Sequence, residues 1–308
     1  MRKTKVYLQL SKYPLFVIIK SSFYKNGERM KVRVLIENTT NSILVAEHGL
    51  SFLIEYNNKK YLLDAGATGA FIQNAKNMNL DLADVECAIL SHGHYDHAGG
   101  FEKYFDEYVG ANLYAMKSAI EKYYSGSGGI IHEIGVPQPI LDKHSERFIL
   151  IEGITKLEND IYLVPHNTDG LEKIGEKSKL YKMINEELIF DNFAHELSLV
   201  FDTPQGLMIF NSCSHGGIVN IVNEVMKALP DKKVHSFFGG LHMQGKKDGE
   251  IICTFSENEI KEIADYLNKI GLQKLYTGHC TGEPAIKLLE KYLGDNVERL
   301  VTGKTICI

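Results

Sequence analysis

From residue 32 onward the chain alternates short apolar runs with glycine- or asparagine-rich breaks, a pattern of strands and turns. Runs over 32–37, 50–55 and 60–64 read as a hairpin meander, the last two joined by Asn57-Asn58, because asparagine accepts the left-handed backbone of a tight turn. Helical spacing follows over 69–78, then a strand over 85–90, a helix over 101–108, and a second strand and helix over 111–124. Strands return over 147–152, 161–164, 197–202 and 207–210, with Pro204-Gln205-Gly206 turning between the last two. The remainder alternates regularly: helix 218–229, strand 234–238, helix 256–270, strand 275–277, helix 284–293 and a final strand over 300–306. The charged stretch 169–187 fits neither period. At coarse grain the chain is doubled, each half giving strands, then a polar loop, then alternating helix and strand. That order suits two sheets packed face to face with helices outside.

Composition narrows the class. With 308 residues, 44% of them hydrophobic, the chain can bury a large core. Residues 30–308 read as one domain, because Met30 opens the strand-like Lys31-Val32-Arg33-Val34; residues 1–29 read as an N-terminal extension. Its apolar run over 15–19 is too short for a signal peptide or a membrane span. A net charge of −5 predicts neither a nucleic-acid partner nor an anionic membrane surface. Five scattered cysteines, without paired spacing, point to a reducing cytoplasm rather than a disulfide scaffold.

Chemistry concentrates at Ser91-His92-Gly93-His94-Tyr95-Asp96-His97-Ala98-Gly99-Gly100, directly after the apolar run 85–90. Imidazole and carboxylate are preferred ligands of zinc, manganese and iron, and a tight turn after a strand brings such side chains to one point. Three later strands also end in histidine-bearing loops: Cys213-Ser214-His215, Gly239-Gly240-Leu241-His242 and Gly278-His279-Cys280. Asp64, before Ala65-Gly66, either caps the helix at 69–78 or orients the ligand loop. The loop Ser125-Gly126-Ser127-Gly128-Gly129 reads as a lid segment or a plain surface loop. Lys117 and His132 are surface residues with a possible substrate contact, His48 reads as structural, and His166 is unassigned.

The pattern His92-x-His94-x-Asp96-His97, preceded by Leu63-Asp64-Ala65-Gly66 and followed by strand-end histidines, resembles the metallo-β-lactamase superfamily. Glu47-His48-Gly49-Leu50-Ser51, Cys213-Ser214-His215-Gly216-Gly217 and His279-Cys280-Thr281-Gly282 are similar to its branch named after the dihydropterin ribofuranosyl-aminobenzene phosphate synthases. The resemblance implies an αββα sandwich, two mixed sheets face to face with helices outside. It implies two divalent metal ions, zinc first with manganese or iron as alternatives: His92, His94 and His215 at one, Asp96, His97 and His279 at the other. Cys213 stands where the superfamily usually places a bridging aspartate, and His195 or Glu196 falls near a further ligand position. The implied activity is that of a metal-dependent hydrolase or metal-assisted transferase. It would use metal-bound hydroxide on a small anionic ester, lactone or phosphate, with Asp96 orienting the nucleophile and His242 donating to an oxyanion or supporting a ligand. The alternatives are an iron-dependent oxygenase or oxygen-reducing protein on the same fold, and a non-catalytic metal-binding sensor.

Overall fold

The computed structural model describes residues 30–308; the extension read over residues 1–29 lies outside them. Two seven-stranded sheets form its centre. The first runs, in spatial order, Thr305–Cys307, Lys31–Ile36, Ser51–Tyr56, Lys59–Leu63, Val85–Ile89, Leu113–Met116, Phe148–Ile151. The second runs Val297–Arg299, Lys274–Thr277, Val234–Phe238, Gly206–Phe210, Leu197–Thr203, Ile161–Pro165, Thr155–Glu158. Both change from antiparallel to parallel pairing midway, the first at Lys59–Leu63 and the second at Gly206–Phe210. The doubling read from the sequence is this repeated order. Asn57 and Asn58, at φ 50° and 62°, make the two-residue hairpin that the first meander needs.

Period-two alternation sorts the side chains into two cores. Leu199, Phe201, Met208, Phe210 and Phe238 face the first sheet, where Phe52 meets Phe210 and Tyr56 meets Phe201 edge-on at centroid distances of 6.0 and 5.3 Å. Their neighbours Val200, Leu207, Ile209 and Phe237 face the other way. They pack on Ile221, Val222, Ile260 and Leu289 of the helices Ile218–Ala228, Glu257–Lys269 and Glu283–Leu293. Each such burial contributes about 1.5–3 kcal/mol. Helices Ala70–Asn77 and Phe101–Glu107 cover the first sheet through Phe71, Ala75, Phe101 and Tyr104, completing the αββα sandwich. Glu257–Lys269 opens with a reciprocal cap, in which Glu259 N–H donates to Ser256 Oγ and Ser256 N–H to the Glu259 carboxylate.

The structure corrects two sequence expectations, the helix within 111–124 and the single final strand, and gives two further stretches their place. The helix expected within 111–124 is a 3-10 turn, Lys117–Ile120, followed by the strand Tyr123–Ser125, whose tyrosines pair with Lys182 and Tyr181; a distant partner overrides local helical spacing. The unplaced stretch 169–187 forms the helix Glu172–Ser178 and the hairpin Leu180–Ile184, Glu187–Phe190. These strands join Tyr123–Ser125 and His132–Glu133 in a four-stranded sheet, and Glu187–Phe190 is exposed throughout, which erased its alternation. The run over 147–152 joins the first sheet as Phe148–Ile151. The final strand over 300–306 is two: Val297–Arg299 closes the second sheet, Gly303 turns at φ 91°, and Thr305–Cys307 pairs with Lys31–Ile36. Among the described residues no helix is long and apolar enough to cross a membrane.

Candidate metal centre

The histidine-bearing loops after Val85–Ile89, Gly206–Phe210, Val234–Phe238 and Lys274–Thr277 sit at the carboxyl ends of strands in the parallel halves of the two sheets, where side chains from several strands can meet. His92 follows Val85–Ile89, with Asp96 and His97 in the single turn Tyr95–Ala98; His215 follows Gly206–Phe210 and His279 follows Lys274–Thr277. A Cβ on Gly93 would lie 2.3 Å from the Ala119 carbonyl oxygen, so only glycine fits between His92 and His94. Asp64, Ser214, His242 and His279 all hold positive φ (58°, 53°, 48°, 48°). Such backbone strain, of order 1–3 kcal/mol per residue, persists where surrounding structure over-determines it.

One cluster joins His92, His94 and His215, whose ring centroids stand 4.6–4.9 Å apart and whose candidate donor atoms lie within 4.8 Å of one another. His92 Nε2, His94 Nε2 and both ring nitrogens of His215 are buried without a hydrogen-bond partner. Burial, with the neighbouring imidazoles, holds all three rings well below the ordinary histidine range. They are therefore neutral and present lone pairs. Leaving a buried polar atom unpaired costs roughly 1–3 kcal/mol, and several such atoms converging on one point form a donor set for a cation.

The second cluster joins Asp96, His97, His279 and Cys213. Asp64 is fully buried: its Oδ1 accepts Ser91 N–H at 2.7 Å, and its Oδ2 accepts Ser91 Oγ–H at 2.7 Å and the His97 Nδ1 proton at 2.8 Å. Of the two roles open for Asp64, orienting the ligand loop is the one seen. Asn38 Oδ1 orients His279 in the same way, 2.9 Å from its Nδ1, while His279 N–H donates to Glu37 Oε1 at 2.6 Å. The two Nε2 atoms thus face each other at 3.2 Å, with Asp96 Oδ2 3.6 and 3.5 Å from them and Cys213 Sγ 3.3 Å from that of His97. Donors sharing one cation at 2.0–2.3 Å stand roughly 3.3–3.7 Å apart, so this set fits a metal ion. Burial pushes His279 down to about 3. For His97 burial acts in the same sense, but Asp96 and Asp64 outweigh it and hold the ring up to about 9. Burial also pushes the Cys213 thiol up.

Other residues support these clusters. His195 has both ring nitrogens engaged, Nδ1 accepting Gly93 N–H at 3.0 Å and Nε2 held by Asp191 Oδ2 at 2.9 Å, so it braces the ligand loop. The buried carboxylate of Glu196 accepts the His215 and Gly216 N–H groups at 2.8 and 2.9 Å, and burial raises its pKa. His242 is half-buried, its ring centroid 4.2 Å from that of His215, with Nδ1 unpartnered.

His48, read as structural, lines the same cavity, its Nε2 3.3 Å from Asp96 Oδ2. Glu47 pins the preceding backbone by accepting Ala67 and Thr68 N–H, and a Cβ on Gly49 would stand 2.3 Å from the Asp96 carbonyl oxygen. The cavity, of about 240 Å³, has these ligand-type residues as its floor, while Ser125, Ser127, His132, Ile134 and Leu180 form one wall. The glycine-rich loop at 125–129 therefore contributes to the site. Lys117 pairs with Glu152 and does not line the cavity; His166 is buried between Glu224 and Ser198.

Comparison with known proteins agrees with this fold. The family profile of the metallo-beta-lactamase superfamily matches residues 44–175. A 7,8-dihydropterin-6-methyl-4-(beta-D-ribofuranosyl)-aminobenzene-5'-phosphate synthase of Methanocaldococcus jannaschii is 30% identical over 297 residues, covering 91% of this chain and 97% of that protein. The crystal structure of Tm1679, a metal-dependent hydrolase of the beta-lactamase superfamily, superposes with a TM-score of 0.76 at 26% identity, covering 90% of this chain and 98% of that one. Zinc-bound PqqB from Methylobacterium extorquens shares the fold at 11% identity and a TM-score of 0.53, over 90% of this chain and 99% of its own.

Proposed function

The chain belongs to the metallo-β-lactamase superfamily, and from that premise we propose that it is a hydrolase holding two divalent cations, zinc foremost, acting on a small anionic ester, lactone or phosphate. The observation that carries this reading is the convergence of buried, partnerless imidazole nitrogens from His92, His94 and His215 beside Asp96, His97 and His279, whose facing atoms stand 3.2–3.6 Å apart. The first three residues would hold one cation and the second three the other, with Cys213 between them; His195 braces rather than ligates. Divalent cations so held supply Lewis acidity and lower the pKa of water.

The chain's own residues do the rest. Asp64 and Asn38 fix the faces that His97 and His279 turn to the cavity. His242 offers a donor to a developing oxyanion next to His215, and His48 meets Asp96 at the solvent side of the cavity. The Ser125, Ser127 and His132 wall supplies polar contacts for an anionic substrate. The synthase name of the archaeal relative marks group transfer as the second reading, in which an acceptor other than water enters the same cavity. Residues 30–308 act as one domain, and the free cysteines suit a cytoplasmic setting.

The test is metal analysis of protein purified without added metal, with a panel of phosphodiesters and lactones assayed on the wild type and on Asp96→Ala. Zinc or manganese with activity lost in the variant is expected. Iron accompanied by oxygen consumption, or a phenotype that survives Asp96→Ala in a folded protein, would sink the proposal.

A further inference from the structure

The geometry points to Cys280 as a second sulfur ligand, paired with Cys213, so that the centre is built for a thiophilic cation rather than for manganese or magnesium. This rests on the metal-centre reading above and goes beyond it, since Cys280 lies outside the ligand pattern read from the sequence. The two sulfurs come from different loops, after Gly206–Phe210 and after Lys274–Thr277, yet stand 3.5 Å apart as free thiols. That separation suits two thiolates on one ion, with metal–sulfur bonds of about 2.3 Å. Cys213 Sγ, His279 and Cys280 Sγ offer donor atoms all within 4.8 Å of one another, and both cysteines line the cavity.

The surroundings are shaped to this end. Gly239 and Gly240 carry the intervening loop past both cysteines: a Cβ on Gly239 would meet the Asn211 carbonyl oxygen at 1.8 Å, and one on Gly240 would meet Cys280 Sγ at 2.5 Å. The His242 N–H donates to Cys280 Sγ at 3.2 Å, the kind of backbone donor that stabilises a ligating sulfur. Cys87, by contrast, lies in the core strand Val85–Ile89, outside the cavity.

Soft sulfur donors select zinc, cobalt, cadmium or iron over oxygen-preferring cations. Cobalt-loaded protein reports sulfur ligation directly, through thiolate-to-cobalt charge-transfer absorption in the near ultraviolet. The wild type is expected to show it, C280S and C213S each to lose about half, and the double variant to lose all, with unchanged circular dichroism. Serine is smaller than the thiol that Gly240 clears, so C280S has room to fold. As a check on the wild type alone, zinc should persist against an about 100-fold excess of manganese. A C280S spectrum equal to that of the wild type, displacement of zinc by manganese, or a Cys213–Cys280 disulfide in the purified protein would overturn the inference. Two bound cations with no sulfur band would overturn it and leave the hydrolase proposal standing; no bound cation would remove both.

Discussion

Asp64→Asn is the substitution that best isolates how the fold prepares its ligands. The carboxylate receives three donors, Ser91 N–H, Ser91 Oγ–H and the Nδ1 proton of His97, all within 2.8 Å and all buried. Asparagine is nearly the same size and keeps Oδ1 for Ser91 N–H, but it places an NH₂ where Oδ2 received the other two. Two buried, charge-assisted bonds are lost, at about 1.5–3 kcal/mol each, so metal-free protein should be destabilised by roughly 3–6 kcal/mol. Its melting temperature should fall by on the order of 10 °C. The sharper effect is on the ring. With an amide donor facing Nδ1, His97 gives up the proton on that nitrogen and keeps the one on Nε2, the atom 3.2 Å from His279 Nε2. Affinity for the cation on that side should drop about 10–100-fold, the usual cost of losing a carboxylate behind a ligating histidine, while the His92, His94, His215 side keeps its own. Titration against a metal buffer, with nitrogen NMR of the His97 tautomer, reads both. If Asp64→Asn binds two cations as tightly as the wild type, the account of Asp64 is wrong.

Other outcomes follow from the same geometry. Metal-free protein should be most stable near pH 6.5. His97, raised to about 9, contributes on the order of 3 kcal/mol that is present below pH 6.5 and lost as pH rises to 9. His279, lowered to about 3, makes the unfolded chain the better proton binder between pH 3 and 6.5, so stability also falls as pH drops through that window. Urea unfolding of chelator-treated protein across pH 4–10 would expose a flat profile, which contradicts both assignments. Gly49→Ala combines a φ of 145° with a Cβ 2.3 Å from the Asp96 carbonyl oxygen; it should cost about 1–3 kcal/mol in thermal unfolding and displace His48. His48→Gln should keep the wild-type metal content by elemental analysis, since His48 meets Asp96 from the solvent side; loss of a cation instead would make His48 a ligand beside Asp96 and His279.

Much of the candidate centre is legible in the sequence. The apolar alternation marks the strands, and the segment from His92 to His97 declares its chemistry because four ligand-type residues, three histidines and an aspartate, occupy six positions. His215 and His279 stand out in the sequence because each follows a strand. What could not be read were contacts with no sequence period. Asn38 and His279 are 241 positions apart, and Glu37 meets His279 N–H only because the last strand returns to the first sheet. His48 passed as structural since its closeness to Asp96 depends on the clearance at Gly49. His195 carried the right chemistry for a ligand, but Asp191 and Gly93 had already engaged both nitrogens.

The four-stranded sheet that walls the cavity is a separate piece of architecture. It contributes no residue to either ligand cluster. Its ties to the frame include Tyr95 N–H to the Ile134 carbonyl and the Tyr123 ring, whose centroid stands 4.0 Å from that of His195. Floor and wall can therefore diverge at different rates. An ancestor could change what it recognises by redrawing residues 124–133 and 180–190 while Tyr123 and Ile134 kept the ligand loops in place, and a protein engineer could treat those segments as an exchangeable cassette.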